Sequence, residues 1–438
     1  MRYWILIPSF AIAQLVLSQG AMPLSLQRAT DLAAEQSYAV RNSALEAEKA
    51  IRREKEILAI GLPQLNASGS LQNYLDVPTS VVPNFFGNDP EFLEVQFGVP
   101  WTTTGGLRLD QLLFDGSYLV GLAATKELRK QSDEELEQAE KEARITAAKA
   151  YYAVLAAEEG ARLLKETVPV LERSYTESKA LFENGFAEST DVDRLELELQ
   201  NTRDRVTVFE RQAEVANAYL LFVLGLPIGT ELDLTDPLQT LIDAPGSEEL
   251  LGSELNMDAH VDHRIAATYE RLQVLNVKNE KSAYLPKLRG FFSYQQQAFG
   301  NAEVVDSDWY PASLWGLNLD VPLFSSGSRS NKVAQAKLTL EQAQVNLERV
   351  EQQLSLEVRQ RRSDLQTARD LYENARDRLE LSRKIFERTS TKYTEGLSSS
   401  FELNTEQSSY IQSQVDYVQR VADYLNARTE LRRSLDLF

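Results

Sequence analysis

Residues 333–358 read VAQAKLTLEQAQVNLERVEQQLSLEV, and the spacing of small and apolar residues in this run decides the fold. Val333, Ala336, Leu340, Ala343, Leu347, Val350 and Leu354 alternate by three and four, which is the seam of a helix packed lengthwise on another helix. One additional step of four reaches Val358. The alternation then resumes through Arg361, Leu365, Ala368, Tyr372, Ala375, Leu379, Ser382 and Phe386. Two consecutive fours form a stutter, which locally unwinds a left-handed supercoil.

A copy of this pattern stands earlier in the chain. Leu136, Ala139, Ala143, Ala147, Ala150, Val154, Ala157, Ala161, Leu164, Val168, Leu171 and Tyr175 carry the same spacing, with their double four at Ala139, Ala143 and Ala147. Val350, Leu354 and Val358 lie 211 positions beyond those three alanines, so the stutters align. The chain reads as a tandem duplication of a unit dominated by one long helix. Each such helix has about 60 residues and spans on the order of 90 Å at the α-helical rise.

Working outward, the first unit opens with a helical pattern from about Gln27 to Ile60, capped by Ser25 and ended by Gly61 and Pro63. Gln64–Asn73 then alternates Leu65, Ala67, Gly69 and Leu71 with polar residues, a two-residue period that predicts a strand. Residues 75–104 are punctuated by Pro78, Pro83, Gly87, Pro90 and Pro100 and read as a long loop. A second strand carries Leu107, Leu109 and Leu113. The first long helix follows to about Glu183, Asn184-Gly185-Phe186 turns the chain, and a return helix runs from Glu188 to about Leu224.

Residues 228–258 read as a linker with little regular structure. The second unit repeats the plan: a helix from about Asp262 to Tyr284, a strand with Leu288, Gly290, Phe292 and Tyr294, a Trp309-Tyr310-Pro311 loop, and a strand with Trp315, Leu317, Leu319 and Val321. The Leu62-Pro63 and Leu285-Pro286 pairs lie 223 apart, whereas Leu113 and Leu323 lie 210 apart. The loop between the paired strands is therefore 13 residues longer in the first unit, as expected of a solvent-exposed loop. Gly185 and Gly396 lie 211 apart and read as helix C-caps with positive φ. The expected organisation is a signal peptide at 1–21, a first repeat at 22–227, a linker at 228–258 and a second repeat at 259–438.

The leader rests on Arg2, an apolar run from Tyr3 to Leu17, and Ser18-Gln19-Gly20-Ala21; an N-terminal membrane anchor stays open at this stage. With 65 acidic and 46 basic residues the net charge is −19, which argues against nucleic acid and anionic lipid surfaces as partners. There is no cysteine, which excludes thiolate metal sites, Cys nucleophiles, disulfides and an acylated Cys at the processing site. His260 and His263 lack partner ligands and read as ordinary surface residues. No nucleophile–base set or phosphate-cradling loop stands out, so no catalytic residue, cofactor or metal is assigned and the chain reads as a non-enzyme.

Strands of about ten residues with one apolar face suit a tilted outer-membrane strand. Four strands cannot close a barrel and lipid tolerates no open sheet edge, so spanning strands would have to be shared among several chains. Three chains would give twelve. Four surface strands packed on a helix of a soluble protein remain the plain alternative.

The ordered motifs resemble those of the TolC family of outer-membrane efflux proteins over nearly the whole mature chain. They are Leu62-Pro63-x-Leu65 and Leu285-Pro286-x-Leu288; Leu113-Phe114-Asp115-Gly116 and Leu323-Phe324-x-x-Gly327; and the turns Phe182-x-x-Gly185-x-x-x-Ser189-x-Asp191 and Tyr393-x-x-Gly396-x-x-x-Ser400-x-Glu402. The resemblance implies a mainly α protein with a membrane β part. In it, three chains form an α/β-barrel, with long coiled-coil hairpins and four strands per chain in a shared twelve-stranded barrel. It implies a passive exit duct of a tripartite efflux or type I secretion system. The implied partners are two further copies, a periplasmic adaptor (membrane fusion) protein, indirectly an RND or ABC inner-membrane pump, and outer-membrane lipid, with no nucleic acid.

By position, Gly185, Ser189, Thr190, Asp191, Tyr393, Gly396 and Ser400 correspond to adaptor-docking tips, and Asp191 and Glu402 to the tunnel entrance. Leu65, Leu71, Leu107, Leu109, Leu288, Phe292, Trp315, Leu317, Leu319 and Val321 are the expected lipid-facing set. Family members often carry arginine where Ser398 stands, and a further acid where Thr405 stands, so an arginine lock is not expected here. A periplasmic adaptor or a structural coiled-coil protein of the envelope are the alternatives.

Overall fold

The computed structural model describes residues 21–87, 90–300 and 308–438; apart from Ala21, the expected leader lies outside them. In order, the elements are β1 (Met22–Leu24), α1 (Leu26–Gln36), α2 (Tyr38–Ile60), β2 (Gln64–Asn73), β3 (Thr79–Pro83), β4 (Phe92–Gln96), β5 (Trp101–Phe114), α3 (Gly116–Glu183) and α4 (Ser189–Val223). There follow β6 (Leu232–Leu234), α5 (Leu238–Ile242), α6 (Ser247–Gly252), α7 (Val261–Ser282), β7 (Lys287–Gly300), β8 (Trp309–Asp320), α8 (Ser328–Thr394) and α9 (Ser400–Ser434). The described residues of Met1–Ala44, Glu135–Val261 and Glu351–Phe438 make one compact unit, and those of Leu45–Glu134 and Asp262–Val350 make a second.

The first unit is helical, and its core is the seam read from the sequence. Ala147, Ala150 and Val154 of α3, Val358, Leu365 and Tyr372 of α8, Val421, Leu425 and Leu431 of α9, and Leu32 of α1 are buried in one apolar cluster. The alanines on α3 leave little side-chain volume, which lets neighbouring helices approach closely. Pro169 stands inside α3 without ending it; it is exposed, where water can satisfy the carbonyl deprived of its donor.

Two sequence expectations for this unit are corrected. The N-terminal helix is two helices, interrupted at Ser37, whose φ −58°, ψ 149° is extended backbone and whose Oγ accepts from the Val40 N–H at 3.4 Å. The stretch 228–258 is not featureless. It contains β6, which pairs in parallel with β1 (Met22 opposite Leu232), together with α5 and α6. Asp236 fixes it: its carboxylate accepts from the Leu26 N–H at 2.5 Å and from the hydroxyl of fully buried Tyr151 at 3.1 Å. Neither partner is near in sequence, so local pattern cannot reveal the arrangement. His260 is also buried, not a surface residue.

The second unit contains an antiparallel sheet in the order β2-β5-β7-β8, in which β2 and β8 are the edges. The loop expected at 75–104 instead holds a hairpin, with β3 paired to β4 (Val82 opposite Leu93), and β5 begins already at Trp101. Val81, Val82, Leu93 and Val95 supply strand-forming residues within a segment whose prolines sit at strand ends. Trp309, Tyr310 and Pro311 belong to β8 and not to a loop. Pro311 lies opposite Gln296, and an edge strand tolerates its missing N–H. Val321 falls just past the end of β8, and a register shift between Leu112 and Phe114 displaces Leu113 from the ladder.

Candidate functional site

Two surfaces carry the chemistry, one in each unit. The first is a face of the sheet. The register lines up Leu65, Leu109, Phe292 and Trp315 in a single row across all four strands. Because alternate residues share a face, Leu71, Leu107, Leu288, Leu317 and Leu319 lie on the same side as this row. No helix covers it: Leu65 is 66% exposed, Leu317 60% and Trp315 76%. The soluble alternative, with apolar faces packed on a helix, is therefore not what this sheet does. The opposite face carries Gln64, Asn66, Ser68, Ser70 and Gln72 on β2, Thr102 and Thr104 on β5, and Ser293, Gln295 and Gln297 on β7. An exposed sheet with one greasy and one polar face, and with both edges unpaired among the described residues, suits a lipid boundary shared with further copies.

The second surface is formed by the two helix–helix turns. Gly185 has φ +78° and Gly396 φ +73°, conformations that an L side chain would resist. Each closes the same motif. The Gly185 N–H donates to Phe182 O and Phe186 N–H to Leu181 O; Gly396 N–H donates to Tyr393 O and Leu397 N–H to Lys392 O. The return helices are then capped differently. Glu188 and Asp191 form a reciprocal capping box at α4, whereas the Ser399 hydroxyl accepts from the Glu402 N–H at α9. Thr190 Oγ1 donates to the Glu188 carboxylate at 3.3 Å, and Ser398 Oγ donates to the Glu402 carboxylate at 2.8 Å.

The two turns meet through α4 and α9, and this contact was not legible in the sequence. Ser400 Oγ donates to the Asp191 carboxylate, Asn404 Nδ2 to the Arg194 carbonyl at 3.4 Å, and Ser408 Oγ to the Glu198 carboxylate at 3.1 Å. The donors recur every four residues on α9, and their partners lie 209 and 210 positions away, close to the duplication offset. The only sequence signal is that period of small polar residues. Behind it, Leu195, Phe386 and Leu403 are buried together with Tyr175, Tyr393 and Tyr410 against them, and Phe386 stacks on Tyr410 with centroids 5.5 Å apart. Burial pushes the Tyr410 phenol above its usual range. Ser189 is exposed, and Glu402 does not join the ladder.

Among the described residues, no group of three or more His, Asp or Glu side chains is placed to hold a metal ion. Among the described residues, no helix is long and apolar enough to cross a membrane.

A four-stranded sheet with an apolar outer face, carried with two long helical hairpins, is the fold of the outer-membrane channels. Residues 29–226 and 264–436 match the family described as Outer membrane efflux protein, and the chain belongs to that family. It is similar to the Outer membrane protein TolC of Vibrio cholerae, at 24% identity over 252 residues, an alignment covering 53% of this chain and 54% of the relative. The match thus spans about half the length of this curated relative. Among solved structures, the chain is similar to a membrane protein from Pseudomonas aeruginosa (TM-score 0.74, 18% identity, 94% of this chain and 93% of that one). It is also similar to the Campylobacter jejuni CmeC outer membrane channel (TM-score 0.73, 18% identity, 94% and 85%). The open-state Neisseria gonorrhoeae MtrE outer membrane channel aligns comparably (TM-score 0.72, 18% identity, 94% and 88%). The family is one of outer-membrane conduits and not of enzymes, which removes the adaptor and structural coiled-coil alternatives.

Proposed function

We propose that this protein is the passive outer-membrane exit duct of a tripartite efflux or type I secretion system in a Gram-negative envelope. Three copies close edge to edge, β8 of one chain pairing with β2 of the next, to give a twelve-stranded barrel. Leu65, Leu71, Leu107, Leu109, Leu288, Phe292, Trp315, Leu317, Leu319 and Val321 contact lipid, and the polar face lines the lumen. Residues 1–21 act as the export leader, and 22–227 and 259–438 as the two repeats joined by 228–258.

The helical hairpins extend into the periplasm, where the Gly185–Asp191 and Tyr393–Ser400 turns dock an adaptor protein. Asp191 and Glu402 stand at the tunnel entrance. An inner-membrane pump of RND or ABC type supplies the energy through that adaptor, and the duct itself consumes none.

The observation that carries this reading is the continuous apolar row Leu65–Leu109–Phe292–Trp315 on a sheet with two free edges. The test is to insert the purified protein into planar lipid bilayers. Discrete conductance steps are expected, and membrane-inserted protein that passes no current would refute the duct.

A further inference from the structure

The polar face of the sheet carries Lys287, Arg289 and Asp320 at the ends of β7 and β8 that adjoin the helices in sequence. From the row of Gln64 to the loop end of the sheet, Arg108 and Asp110, both on β5, are the only ionised residues on this face among the described residues. They are paired: Arg108 Nε donates to both carboxylate oxygens of Asp110, at 3.1 and 3.0 Å. The guanidinium also lies over the Phe291 ring, 4.7 Å from its centroid. Phe291 is in turn seated on Gly316. A Cβ at that position would come within 2.8 Å of the ring, so any larger residue would push the ring away. Glycine, phenyl ring and guanidinium therefore stack in that order, with Asp110 fixing the guanidinium from the side. Both charged side chains keep substantial exposure, 49% and 39%, and from their rows to the loop end the face is made of amides, hydroxyls and other neutral residues, with Arg289 one row beyond Asp110 on the other side.

We propose that the Arg108–Asp110 pair is the charge-selectivity station of the barrel lumen, a role that rests on the duct reading above. Three-fold closure repeats the pair around one axis and forms a belt of alternating positive and negative groups. Such a belt is neutral in sum, so it passes ions of either sign while its two members offset each other. Phe291 and Gly316 are positioning residues that hold the guanidinium against the wall. Removing one charge changes the sum around the ring by three unit charges, against a background from Arg289, Lys287 and Asp320 that every variant shares, and that change acts on permeating ions. At a distance of ~10 Å in salt solution, three unit charges bias the local concentration of monovalent ions by about two-fold.

The experiment is the reversal potential of the purified protein in planar bilayers under a potassium chloride gradient. A potential that enriches one ion two-fold depletes its counter-ion two-fold, so Arg108→Gln is expected to raise the potassium-to-chloride permeability ratio about four-fold, and Asp110→Asn to lower it by a similar factor. Arg108→Lys, which keeps the charge, should stay near the wild type. The double variant R108Q/D110N is neutral again and should return to the wild-type potential, a recovery that a merely damaged sheet would not give. Unchanged reversal potentials in both single variants, with conductance intact, would overturn the station while leaving the duct standing. Failure of the wild type to conduct at all would overturn both.

Discussion

Ser400, in the first turn of α9, donates its hydroxyl to the carboxylate of Asp191, in the first turn of α4, so the turns of the two duplicated hairpins are joined by one hydrogen bond. Ser400 is buried, and the bond is charge-assisted, as is the Ser408–Glu198 rung further along the ladder, whereas Asn404 donates to a neutral carbonyl. Ser400→Ala should remove this bond while Asp191, half-exposed, keeps the Glu188 N–H, and loosen both first turns by about 1 kcal/mol. Hydrogen exchange at α4 and α9 reads this directly. Amides there should exchange faster in Ser400→Ala and Asp191→Ala, and the double variant should add little. Full additivity of the two changes would mean that the bond contributes nothing.

The tip also makes a functional prediction. Ser400→Trp places a bulky ring where the turns meet, and should reduce efflux while leaving the amount of assembled trimer unchanged. Efflux measured with a fluorescent dye, beside trimer level on a mild gel, separates docking from folding. Unaltered efflux would remove the docking role from this turn.

Leu317 stands 60% exposed on the apolar sheet face, so Leu317→Arg should disturb membrane insertion and little else. A charge near the bilayer midplane costs roughly 2–4 kcal/mol. The expected outcome is a marked loss of membrane-assembled protein. Normal assembly would assign this face to something other than lipid.

The helical seam can be tested at Leu365, which has no exposed surface. Leu365→Ala removes buried methyl groups and leaves a cavity, at a cost of about 2–5 kcal/mol. A clear fall in thermal unfolding temperature should follow, whereas the same change at exposed Leu356 should leave the isolated chain's stability nearly unaltered.

Acid stability should depend on Glu430. Burial acts to raise its pKa, but Lys149, whose amino group donates to it, and the Arg361 and Arg433 guanidinium groups at 3.5 and 3.8 Å outweigh this and hold it below its ordinary value of 4.5. A depressed carboxylate stabilises the fold above its unfolded pKa and loses that contribution as pH falls through the folded one. Stability should therefore decline below about pH 4.5. Glu430→Gln should flatten that part of the acid limb, and an acid limb identical in both proteins would exclude Glu430 as a contributor.

What the sequence revealed and what it hid divide along physical lines. The long helices and their glycine turns were legible because a heptad seam and a positive-φ glycine are local signals, repeated at a fixed offset. The β3–β4 hairpin was hidden because its strands have five residues and are framed by prolines, and pairing, not pattern, creates them. Pro311 argued for a loop, yet an edge strand accommodates it. The short elements between residues 228 and 258 exist through β1 and Tyr151, which lie far away in sequence. Likewise, Ser400, Asn404 and Ser408 acquire meaning only when α9 lies beside α4. The Arg108–Phe291–Gly316 stack is invisible until the register brings three strands together.

The central claim is a barrel shared among three chains, and the mass of the assembly extracted from membranes in mild detergent tests it most directly. A particle of three chains that leaves the membrane only with detergent is the expected result. A water-soluble monomer or dimer would contradict the shared barrel and, with it, the account of the sheet's apolar face.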